Sequence, residues 1–97
     1  MSALFIVFVE KAADESEMDA YRKLALPSLQ GRDVKFLTRP GVELHTLEGA
    51  EVETVVTIKF ASVQDAKDWY HSSAYQQAVK HRHGTARSRA VIVETLD

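Results

Sequence analysis

The segment Leu4–Val9 is apolar at every position, and this constrains the fold more than any other feature of the sequence. Successive side chains of an extended strand point to opposite faces of its sheet. This strand therefore needs apolar cover on both faces, as a central strand does. The segment Ala90–Leu96 has the same character around Val91–Val93. We expect both segments to be strands of a sheet that is covered on both sides.

Two helical regions are predicted where capping signals precede apolar residues at helical spacing. The first runs from about residue 15 to 30 and contains Pro27, which lacks a backbone donor. We expect a kink or a tightened last turn there, before a stop at Gly31. The second region ends at Gly84 and carries a second capping signal at Ser72. It should consist of two segments hinged near Ser72.

Two further strands between the helical regions form a predicted hairpin. They are Val34–Leu47, interrupted by a Pro-Gly turn, and Val52–Phe60. A two-residue type II′ turn with Gly49 at positive φ would join them. In that register His45 faces Thr54.

The order strand, helix, strand, strand, helix, strand predicts an α+β fold. It is the ferredoxin-like βαββαβ arrangement, a four-stranded antiparallel sheet with both helical regions on one face. The other face is then uncovered, and a second copy of the chain is the simplest cover for it. Since 97 residues suit one core, we predict a single domain over residues 1–97 that forms a homodimer with facing sheets.

The composition excludes several classes of protein. With no Cys, the chain has no thiolate metal site, disulfide framework or cysteine nucleophile. No pair of histidines has metal-ligand spacing, so we expect no metal and no cofactor. The pI of about 6.1 and the lack of a nucleic-acid-binding motif argue against a nucleic-acid partner. No segment resembles a signal peptide or a membrane span, so we expect no membrane contact and a cytoplasmic location.

Several parts of the sequence together carry a family resemblance. They are Glu48-Gly49, Thr57-Ile58-Lys59-Phe60, the run Ala66–Gln76 with its Trp-Tyr-x-Ser-x-x-Tyr-Gln pattern, and the spaced Arg82, Arg87 and Arg89. They resemble the domain-of-unknown-function family thirteen-thirty, in the dimeric α/β-barrel superfamily. The resemblance covers nearly the whole chain and departs at Glu94-Thr95, where Glu-Gly is common. It implies a dimer of ferredoxin-like units and a cleft for small organic molecules between sheet and helices, with no settled reaction.

His45 is the candidate catalytic residue. Its predicted strand position shares a face with Val52 and Val56, where an imidazole tends to be buried and needs a partner. Glu43, two residues earlier, could orient the ring. A general base at the bottom of a cleft has this pattern, and so does a structural histidine in the core or at a solvated edge.

Four residues are candidates for ligand binding. Trp69 and Tyr75 could line an apolar pocket, although aromatic residues at helical spacing are also typical of a core. Arg82 and Arg89 belong to the basic segment Lys80–Arg89, which holds no acid and could clamp an anion at the mouth of the cleft. Cations at the end of a helix also stabilise it without a ligand.

Three functions fit these residues. The first is a small-molecule-binding protein that acts as a cofactor-independent enzyme on a small organic acid or aromatic compound. The second is a non-catalytic binding module that uses the same cleft, and the third is a structural homodimer. An open cleft that converges on His45, Arg82 and an aromatic residue would distinguish the first two from the third.

Overall fold

A four-stranded antiparallel sheet carries three helices on one of its faces. The computed structural model describes residues 1–97. The elements in chain order are β1 (Ala3–Val9), α1 (Glu15–Ser28), β2 (Val34–Thr38), β3 (Thr54–Phe60), α2 (Val63–Tyr70), α3 (Ser73–His83) and β4 (Ser88–Glu94). The strands are arranged β2-β3-β1-β4. The predicted α+β, ferredoxin-like fold is confirmed. None of the helices has the length and apolar character needed to cross a membrane.

β1 lies in the middle of the sheet and pairs along its whole length with β3 on one side and β4 on the other. Its odd-numbered residues, from Ala3 to Val9, are buried beneath the helices. Its even-numbered residues, from Leu4 to Phe8, are half-buried on the opposite face. The prediction of a central strand with apolar residues on both faces is confirmed.

The face of the sheet away from the helices is open and largely apolar. Val91 and Val93 of β4 lie on it and are 47% and 46% exposed. Ile6 of β1 lies beside Val91, and Val55 of β3 lies beside Phe8. The helices pack on the opposite face, so no helix covers this one.

The end of α1 tightens at Pro27. The N–H groups of Leu29 and Gln30 donate to carbonyls three residues earlier, each over 3.1 Å, which is the bonding pattern of a 3₁₀ turn. Gly31 then has a φ of 81°, a conformation that glycine adopts without steric cost. The predicted tightened last turn is confirmed.

The second helical region is broken between α2 and α3. The Ser72 hydroxyl accepts from the Tyr75 N–H over 3.3 Å and donates to the Trp69 carbonyl over 2.6 Å. Ser62 caps α2 in the same way, accepting from the Asp65 N–H over 3.0 Å. The predicted hinge near Ser72 is confirmed.

The second half of the predicted Val34–Leu47 strand does not form. β2 ends at Thr38, and residues 39–53 contain no strand. Pro40 has no N–H to contribute to a ladder, and residues 41–44 lie beside the start of β3 without pairing with it. The predicted pairing of His45 with Thr54 is therefore wrong, because a long loop takes the place of a two-residue turn.

Replacing Ser72 with Ala should lower the free energy of unfolding by about 1 kcal/mol, the usual effect of losing an N-cap acceptor. Ser73→Ala is the matched control, because Ser73 is exposed and its hydroxyl makes no hydrogen bond. Urea unfolding of both variants measures the difference. Equal stability of the two variants would show that Ser72 does not cap α3.

Candidate functional site

An apolar cleft lies between α1 and the sheet. Its volume is about 150 Å³, and 12 of its 15 lining residues are hydrophobic. Apolar cavities of about this size can hold a benzene ring. β1 contributes Phe5, Val7 and Val9, and α1 contributes Met18, Tyr21 and Ala25.

Trp69 lines the cleft and belongs to the aromatic core beneath it. Its ring lies 4.1 Å from that of Tyr75 and 5.0 Å from that of Phe5, between centroids. The indole N–H donates to the Ser28 hydroxyl on α1 over 3.0 Å. Trp69 and Tyr75 are both buried, and Tyr75 packs against Trp69 without being one of the residues that line the cleft.

Tyr21 connects the cleft with a buried polar cluster that it forms with Tyr75 and Arg82. The hydroxyls of Tyr21 and Tyr75 are 3.0 Å apart. The Arg82 guanidinium carbon lies 5.3 Å from the centre of the Tyr21 ring. Burial, followed by the proximity of Tyr21, raises the pKa of Tyr75 above its ordinary value. The Tyr75 hydroxyl therefore stays protonated.

Arg82 is only 1% exposed, so its predicted position at the mouth of the cleft is wrong. It lies on the face of α3 that also carries Tyr75, Ala78 and Val79, all of them buried. This spacing is helical, and it could have placed Arg82 in the core from the sequence alone. Met18, Tyr21 and Ala25 have the same helical spacing on α1. The sequence alone could therefore have identified Tyr21 as a residue that faces the core.

His45 lies in the exposed loop 39–53, and its predicted place on the face of Val52 and Val56 is wrong. Its side chain is 73% exposed, and its Nε2 lies 2.7 Å from a carboxylate oxygen of Glu43. His45 is not among the residues that line the cleft. Its catalytic role stays a prediction.

Arg89 lies on the open face of the sheet, where its guanidinium carbon is 5.1 Å from the centre of the Phe8 ring. With Arg87 and His83 it lines a wider cavity of about 560 Å³ at the end of β1. Desolvation and the charge of Arg82 lower the pKa of His83. Arg82 is buried on α3, whereas Arg89 lies on the open face of the sheet. The structure therefore does not bring Arg82 and Arg89 together.

The sheet order, the helices on one face and the apolar cleft between them define an α+β protein of the ferredoxin-like class. The chain belongs to a family described as a domain of unknown function, DUF1330, whose model matches residues 2–96. The family predicted from the sequence is confirmed. None of the curated proteins matches this chain.

Several solved structures are similar to this chain, among them the following three. A protein of unknown function from Rhodopseudomonas palustris has a TM-score of 0.76 at 19% identity, over 99% of this chain and 83% of that one. A dimeric ferredoxin-like protein from Bacteroides fragilis has a TM-score of 0.60 at 17% identity, over 97% and 96%. A putative antibiotic biosynthesis monooxygenase from Nitrosomonas europaea has a TM-score of 0.62 at 17% identity, over 98% and 90%. These similarities show a shared fold.

Proposed function

We propose that this protein is a homodimer that binds a small organic molecule in the cleft between α1 and the sheet. The observation that carries the proposal is the open apolar space of about 150 Å³ in that cleft. A purely structural domain would need no such space, because protein interiors are close-packed. The volume fits a compound with one aromatic ring or an apolar group of similar size.

The mouth of the cleft supports the same proposal. Leu26 and Phe36 line it, and they are 60% and 40% exposed. Large apolar side chains around a concave site provide contact area for a ligand. A substituent beyond the first ring would lie between these two residues.

The open face of the sheet supports a homodimer. It carries apolar side chains on adjacent strands, with Val91 and Val93 close to half exposed. A contiguous apolar surface of this kind is typical of an interface. The Bacteroides fragilis protein, which shares the fold, is described as dimeric.

The second candidate function is catalysis in the same cleft, on a small organic acid or aromatic compound and without a cofactor. The resemblance to the putative monooxygenase from Nitrosomonas europaea favours it. The lining of the cleft contains no histidine, aspartate or glutamate, so a general base must come from outside it. His45 lies in the same loop as Pro40, which does line the cleft, and it is the proposed base.

Replacing Ala25 with Leu should fill the cleft and weaken binding of benzamide, a neutral one-ring probe, by about tenfold or more, equivalent to about 1.4 kcal/mol. Ala74→Leu is the matched control, because Ala74 is exposed on α3. This variant should bind benzamide as the wild type does. Trp69 is the single tryptophan and lines the cleft, so its fluorescence reports occupancy. Equal binding by both variants would contradict the proposed site.

The wild-type protein should sediment as a dimer at micromolar concentration. Val91→Lys places a charge on the open face and should produce a monomer, because the charge would be desolvated in the interface. Ala90→Lys is the control, since Ala90 is exposed on the same strand and points to the other face. A monomeric wild type, or a monomer in both variants, would contradict pairing through this face.

If a bound compound is also converted, His45→Ala should abolish turnover while binding persists, because the exposed ring contributes no packing to the cleft. Glu43→Gln should reduce turnover less, because it removes only the carboxylate beside the ring. Rate and affinity are measured separately on each variant. Unchanged turnover in His45→Ala would remove His45 from the mechanism.

A further inference from the structure

The buried cluster of Tyr21, Tyr75 and Arg82 has more hydrogen-bond donors than acceptors. The two phenol hydroxyls lie 3.0 Å apart and bond to each other, which uses one of their two protons as a donor and leaves the other free. The Nε and Nη1 atoms of Arg82 are buried and have no partner. Its remaining nitrogen, Nη2, has only a long contact of 3.4 Å to Nε2 of His83. The cluster therefore needs an acceptor that the chain does not supply.

The charge of Arg82 is also uncompensated. Arginine stays protonated in proteins, and no carboxylate lies within 4.0 Å of this side chain, which is 1% exposed. The face of the Tyr21 ring at 5.3 Å offsets part of the desolvation. A buried unpaired cation opposes folding, so Arg82 is held in the core at the expense of stability.

Tyr21 gives this cluster its connection to the cleft. Its ring is part of the cleft lining, while its hydroxyl contacts Tyr75 and its face contacts Arg82. Arg82 and Tyr75 are not lining residues, so an anion in the cleft can contact them only after the Tyr21 side chain shifts within the cluster. The Tyr21 hydroxyl is the donor of the cluster that lies closest to such an anion.

We propose that the ligand of the cleft is a small aromatic carboxylic acid, and that Arg82 and the hydroxyls of Tyr21 and Tyr75 bind its carboxylate. This inference rests on the proposed function of the cleft. A carboxylate is acceptor-only and offers about four lone-pair sites, which matches a cluster that is rich in donors. Its negative charge pairs with Arg82 in a charge-assisted bond, the strongest kind available to this side chain. The aromatic ring occupies the apolar cleft beside Trp69.

The test compares benzoate with benzamide, which has the same ring and nearly the same shape but no charge. Wild-type protein should bind benzoate more tightly by about tenfold or more, as a charge-assisted bond implies. Both titrations follow the fluorescence of Trp69, and thermal shifts provide an independent readout because a ligand of the native state raises the melting temperature.

Arg82→Met removes the charge and keeps an apolar side chain of similar length. It should abolish the preference for benzoate, weaken benzamide binding much less than benzoate binding, and leave the ligand-free melting temperature unchanged or higher, because a buried unpaired charge has been removed. Tyr75→Phe is the second variant, which keeps the ring beneath Trp69 and removes one hydroxyl. It should weaken benzoate binding several-fold and weaken benzamide binding less, because an amide carbonyl accepts a weaker hydrogen bond than a carboxylate does.

The outcomes separate this inference from the function on which it rests. Equal binding of benzoate and benzamide by the wild type would overturn the carboxylate site and leave the cleft as a binding site. A lower melting temperature in Arg82→Met, together with a retained preference for benzoate, would make Arg82 a structural residue and overturn its assignment. If neither probe binds, the proposed function of the cleft fails and this inference fails with it.

Discussion

The pairing of β1 on both of its edges is the constraint on which the rest of the structure depends. Because β1 lies between β3 and β4, its side chains can point only to the two faces of the sheet. Phe5 and Val7 pack beneath the helices and line the cleft. Ile6 and Phe8 point to the opposite face, which no helix covers. The proposed ligand site and the proposed dimer surface are thus on the two sides of one strand.

The position of α1 determines the shape of the cleft and the side chains that surround it. Its tightened end at Pro27 lies next to Ser28, whose hydroxyl accepts from the Trp69 indole, and this contact ties the helix to the aromatic core. Further along the same helix, Tyr21 meets Tyr75 and Arg82 of α3. An unpaired cation therefore lies behind Tyr21, next to the apolar cleft, and the proposed ligand, a small aromatic acid, complements this arrangement.

Local signals in the sequence predicted the helices and the first and last strands of the chain, because capping and periodicity act within a few residues. Ser72 marked the break between α2 and α3, and Pro27 marked the end of α1. The predicted hairpin was wrong: Gly49 has the positive φ that such a turn requires, but residues 39–53 form a loop that does not pair with β3. The strand position predicted for His45 depended on that hairpin and was wrong as well, although the ring does lie beside Glu43 as expected.

The sequence by itself determined the order of elements, the caps and the apolar character of β1 on both faces, since these follow from side-chain chemistry and strand or helix geometry. Only the tertiary structure decided the register of β2 against β3, the separation of Arg82 from Arg89, and the meeting of Tyr21 with Tyr75. Those two tyrosines are 54 positions apart. Their contact depends on the distance at which α1 and α3 pack, and that distance is the joint result of the whole core.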